Sequence, residues 1–105
     1  MSYYFSSDNI SARSYLSNAE YYSLEASRAA SRADPDAARE AVAEAWREAT
    51  RCWGAAPDTA TARFAAAAAR RAERQLDRAW VELYKEEAQK WADFRVVYGD
   101  ALCNA

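Results

Sequence analysis

The residues of this chain that could do chemistry are few, and their spacing argues against most of it. There is no His, so the commonest acid–base side chain and metal ligand is missing. That excludes His-dependent triads, zinc sites with His ligands and the Glu-x-x-His iron motif of helical bundles. Cys52 and Cys103 stand 51 residues apart and form no C-x-x-C pair. The two glycines, Gly54 and Gly99, make no phosphate-binding loop. Glu86 and Glu87 are neighbouring carboxylates, but adjacent residues on a helix point apart. The pattern predicts a protein that is not an enzyme and that uses neither a metal nor a cofactor.

Charge and aromatic side chains remain. Twelve Arg and two Lys face sixteen acids, a net charge of −2 that sets up no global field for nucleic acid or membrane. Arg63, Arg70, Arg71, Arg74 and Arg78 nevertheless line up as a candidate basic strip for nucleic acid or an acidic protein surface. Glu73, Asp77 and Glu82 dilute the strip, and no aromatic is interleaved to stack on bases. A solvated face is the plainer reading, with nucleic acid kept as an alternative. Four Trp, seven Tyr and three Phe are a surplus for 105 residues. Tyr3, Tyr4 and Phe5 precede any helix, either as interface anchors or as a segment folded over the bundle end.

These side chains need elements to carry them. Two Gly and two Pro are too few for a turn-rich β protein, and 27 alanines favour helix. We expect a single all-α domain of three helices, at about 8–33, 35–53 and 58–98, with residues 99–105 as a C-terminal tail. The first begins behind Ser7 or Asp8. Asp34 caps a second helix with Pro35 at its first position. Gly54 suits the end of that helix, Asp58 or Thr59 the next start, and Gly99 the last stop. Because alanine buries little area, the large apolar contacts are expected from the aromatics.

Each helix has a readable face. Tyr15, Ala19, Tyr22, Ala26, Ala29 and Ala33 form a four–three seam of Tyr and Ala on the first, where small residues admit a close neighbour. Ile10, Tyr21 and Leu24 fall on another side. On the second helix Ala38, Val42, Ala45, Trp46, Ala49 and Trp53 share a face. Glu40, Glu44, Arg47, Glu48 and Arg51 read as its solvated side. The third carries Ala65, Ala69, Ala72, Leu76, Trp80, Leu83, Trp91, Phe94 and Tyr98. At roughly 60 Å it is too long for either earlier helix to cover. Both pack along it, or it bends, or a second copy covers it, so a homodimer is a candidate assembly. Glu87 falls within this stripe, either as an acid that reads a partner or as half of a Glu87–Lys90 pair at the core edge or a dimer seam.

The third helix also holds a local pattern. It reads "AWVEL" at residues 79–83 and "FRVVYGDAL" at residues 94–102. Over about 25 residues this resembles the C-terminal part of a family of small helical phage anti-CRISPR proteins that inhibit type I-E CRISPR systems. Trp80, Val81 and Glu82 match its first part. Arg95, Val97, Tyr98, Gly99, Asp100 and Ala101 match its second, with Val96 inserted. The resemblance implies a stoichiometric protein–protein inhibitor, a viral protein acting in the bacterial host cytoplasm. Its partner would be a CRISPR effector, either the recruited helicase–nuclease or the surveillance complex. The implied partner-binding residues are Arg95, Tyr98, Asp100 and Ala101. A helical adaptor or regulator, itself dimeric, is the alternative. The first residues lack the basic start and apolar core of a signal peptide, and the sparse cysteines suit a reducing compartment.

Overall fold

Helix α1 covers Ser7–Ser31, α2 Pro35–Ala55 and α3 Ala60–Cys103. The computed structural model describes residues 7–103, with side chains described over residues 10–93. Each helix packs against the other two, an all-α bundle with a long last helix. Helices α1 and α3 run in the same direction and α2 runs against both. The Cys52 thiol meets the Ala12 carbonyl at one end, and Arg78 reaches Ser31 at the other.

Short-range chemistry sets the breaks. The Asp34 carboxylate accepts from the Ala37 backbone N–H at 3.1 Å, with Pro35 opening α2, as the sequence predicts. Helix α1 stops two residues before the expected 33. Ala33 turns to φ 54°, while the N–H of Ala33 donates to Ala30 and that of Asp34 to Ala29. This is a Schellman closure with Ala where Gly is usual. Helix α2 passes Gly54 and ends at Ala55. Of the two candidates for the next start, Thr59 is the cap: its hydroxyl accepts from the Ala62 N–H at 3.2 Å. Asp58 instead takes the left-handed turn position, φ 60°, which Asp tolerates.

Two expectations are corrected. Gly99 does not stop the third helix, because α3 runs through it to Cys103. A helical Gly costs only about 1 kcal/mol relative to Ala, which does not end a helix by itself. Residues 99–103 are therefore helix and not tail. The core is also not aromatic. Its fully buried side chains are alanines on all three helices, among them Ala12, Ala19, Ala26, Ala45, Ala65, Ala69 and Ala72, and the largest is Cys52. Methyl groups at these positions bring the helices too close together for a ring to fit between them. Tyr15, Tyr22 and Trp46 pack against the rim instead.

A third departure concerns charge. Glu48, on the face that reads as solvated, is 5% exposed. It accepts hydrogen bonds from Asn18 at 3.2 Å and Arg51 at 2.5 Å, so the buried carboxylate is paired. Three other Arg of α1 and α2 bond acids three residues earlier: Arg28 to Glu25, Arg39 to Asp36 and Arg47 to Glu44.

Candidate interaction surface

The turn between α1 and α2 lies level with residues 76–79 of α3. There Ala29, Ala30, Ala38 and Ala79 form a small second cluster, with Leu76 packed against it. Beyond it neither α1 nor α2 continues. Residues 80–103 extend α3 by roughly 36 Å at about 1.5 Å per residue. Among the described residues, buried positions stop at Ala79, Glu82 and Leu83 are half-buried, and residues 84–93 are all exposed.

This arm carries large apolar side chains in water. Trp80 is 38% exposed, Val81 50%, Tyr84 65% and Trp91 64%. The rings of Trp80 and Tyr84 stack with centroids 5.9 Å apart. Ion pairs join Lys85 to Glu82 at 3.5 Å and Lys90 to Glu87 at 3.7 Å, and Gln89 donates to Asp93. Glu87 is thus an exposed, paired acid, in agreement with the plainer of its two readings. Leu83 remains half-buried where it leaves the bundle. Exposed aromatics of this size on one helix are the usual composition of a protein interface.

Of the residues singled out by sequence, Arg95, Tyr98, Asp100 and Ala101 fall on the far part of the arm by backbone position. Their side chains lie outside the described residues, as does the segment holding Tyr3, Tyr4 and Phe5. Arg63, Arg70, Arg71, Arg74 and Arg78 are all exposed, beside the bundle and away from the arm. Arg78 donates to Gln75 and to the Ser31 hydroxyl. None of the five forms an ion pair with an acid among the described residues, unlike Arg28, Arg39, Arg47 and Arg51.

Sequence reading missed one surface. Trp46, Ala49, Thr50, Trp53, Ala62 and Ala66 line a shallow apolar groove of about 230 Å³ between α2 and α3. Trp46 donates from its indole to Glu73 at 2.6 Å, and Trp53 is 50% exposed. The signal was Ala62 and Ala66, too small to cover two indoles. On α1, Ile10, Tyr21 and Leu24 are exposed, as their position off the seam predicts.

The chemistry of the bundle interior is passive. Cys52 is fully buried and donates to the Ala12 carbonyl at 3.3 Å. Burial pushes its thiol pKa up, which disfavours the reactive thiolate. Among the described residues no cluster of His, Cys, Asp or Glu could hold a metal ion. No helix there is long and apolar enough to cross a membrane. Comparison with protein-family models, with curated proteins and with solved structures finds no match to this chain.

Proposed function

We propose that this chain is a non-catalytic protein–protein inhibitor, an anti-CRISPR that blocks a type I CRISPR–Cas system. It would act by binding the recruited helicase–nuclease or the surveillance complex. The observation that carries the interaction reading is the arm: a helix that leaves its bundle and presents Trp80, Val81, Tyr84 and Trp91 to solvent. Large apolar side chains held out on a rigid helix suit docking to a protein surface. The choice of target rests on the resemblance of residues 80–82 and 95–101, which lie on that arm. Arg95, Tyr98, Asp100 and Ala101 are the contacts it implies.

Pull-down with purified type I effector proteins tests this reading. The intact chain is expected to retain the helicase–nuclease or the surveillance complex, and a chain ending at residue 83 to retain neither. If the intact chain captures no CRISPR component, the anti-CRISPR reading is wrong.

A second reading has one observation in its favour, the strip of five arginines without carboxylate partners. As a nucleic-acid face it predicts binding that weakens steeply with salt and disappears when Arg70, Arg74 and Arg78 become Ala. Binding that is indifferent to salt excludes it.

A further inference from the structure

We propose that the arginine strip of α3 holds a nucleic-acid duplex by its phosphates, without reading bases. This rests on the nucleic-acid reading of the strip and adds the class of ligand and the mode of contact. One helix face builds the strip. At about 3.6 residues per turn, Arg63, Arg70, Arg71, Arg74 and Arg78 fall within about 100° of arc and span roughly 22 Å of helix. That arc lies opposite Ala65, Ala69 and Ala72, which are buried in the core shared with α1 and α2. The packing that hides these alanines therefore turns the five guanidinium groups outward, on a part of α3 that both neighbours brace.

The acids that dilute the strip in the sequence are mostly engaged elsewhere. The Glu73 carboxylate accepts from the Trp46 indole of α2 at 2.6 Å. Glu82 is half-buried and pairs with Lys85 at 3.5 Å. Asp77 is left, exposed at the strip's edge. Arg63, Arg70, Arg71 and Arg74 make no side-chain bond among the described residues, and Arg78 bonds only the neutral Gln75 and Ser31. A merely solvated face looks different in this protein. Arg28, Arg39, Arg47 and Arg51 each pair with an acid three residues earlier. The same offset from the strip holds Ala60, Ala67, Ala68, Arg71 and Gln75. Arg70, Arg74 and Arg78 instead repeat every four residues, where like charges repel and weaken a helix. Residues 60–79 thus hold five arginines against two acids, a charge of +3 in a chain whose total is −2.

The ligand follows from the chemistry of this row. A planar guanidinium meets a phosphate with two parallel N–H donors. A duplex carries one negative charge per about 1.7 Å of its axis and no cations, so it can satisfy neighbouring arginines that have no acid between them. An unpaired strand also offers its bases, and proteins that hold one interleave aromatics to stack on them. Phe64 is the sole ring in residues 60–79, and it lies at one end of the strip. Between the arginines the face presents Ala67, whose methyl neither donates to nor accepts from a base edge. Phosphates are the part of a nucleic acid that this surface matches.

Fluorescence anisotropy of the full chain with a labelled mixed-sequence duplex, and with one of its strands alone, tests this. With four to five phosphates contacted, log K for the duplex should fall against log salt with a slope of about −4, roughly a 200-fold loss between about 50 and 200 mM. A duplex of unrelated sequence should bind equally well. Arg70→Ala combined with Arg74→Ala should flatten the slope by about 1.8 at unchanged helicity. Arg39→Ala, which removes a paired arginine of α2, should leave the slope as it is. A strong preference for one sequence, or a slope that the double variant does not move, overturns the proposal. Binding of the single strand and not the duplex, with the same arginine dependence, overturns the duplex assignment and leaves the nucleic-acid reading standing. No binding of either at low salt, or tighter binding of polyglutamate than of the duplex, overturns both.

Discussion

Helix α3 is two different objects joined at Ala79. Over residues 60–79 it is pressed between two neighbours, with Ala62, Ala65, Ala68, Ala69, Ala72 and Ala79 at 0–1% exposure. Over residues 84–93 every side chain is exposed, Tyr84 and Trp91 among them. The smallest apolar residues are thus inside and many of the largest outside, the reverse of an ordinary core. A large side chain has no room in a gap sized for methyl groups. It is placed at the rim or on the arm, where it is available to something else. The bundle half of the helix is buried against its neighbours, and the arm half holds its large apolar side chains in solvent.

The contrast can be broken most directly from the inside. Ala65→Leu forces three extra heavy atoms between helices in contact and should cost about 1–3 kcal/mol of unfolding free energy. Urea unfolding reads this, and a loss below about 0.5 kcal/mol would show that the bundle has slack.

A second test uses Cys52, the largest fully buried side chain among the described residues. The pKa of the Cys52 thiol is raised by burial from its ordinary value of 9.0. Its contribution to stability is therefore complete below pH 9 and is lost as pH rises from there through the folded value, since the unfolded chain ionises first. Compared with Cys52→Ala, the intact chain should lose more stability as pH rises above 9. Parallel pH profiles for the two chains would remove the argument that this site is dry.

The junction between the regions offers a smaller effect of opposite sign. Ala33 sits at φ 54° beside the start of the arm. Ala33→Gly relieves the left-handed strain and should raise stability by roughly 0.5–1 kcal/mol, which thermal unfolding can detect. A destabilised variant would mean that the methyl's packing outweighs its strain. The smallest effect belongs to the arm. Val81 is 50% exposed, so Val81→Ser should change folding stability by no more than about 0.5 kcal/mol. A larger calorimetric loss would show that the bundle extends further up α3 than its burial indicates.

Much of the fold was legible because its causes are local. Asp34 before Pro35, Thr59 before the long run of alanines and the Tyr–Ala seam of α1 act over three or four residues, and all appear in the structure. The misreadings share a different origin. Gly99 reads as a stop, yet a single Gly merely weakens a helix whose other residues continue it. Glu48 reads as solvated by its company of charges, but its burial depends on Asn18, thirty residues earlier, and on how α1 lies across α2. The groove between Trp46 and Trp53 depends likewise on which alanines of α3 face them. The arm's Trp80 and Leu83 were visible as a stripe, though nothing local told whether α1 and α2 would reach them.

The sequence by itself determined the helices, two of their caps, the alanine seams and the absence of His from any site. It also determined the alternation of apolar and charged positions along the arm. These are consequences of backbone propensity and side-chain spacing within a few turns. Only the tertiary structure decided that alanines, and not aromatics, fill the core, that Glu48 is buried, and that α3 outruns its neighbours at Ala79. Those outcomes depend on how closely three helices approach and at what level each one ends. Both are set by packing between residues far apart in the chain, which no local pattern encodes.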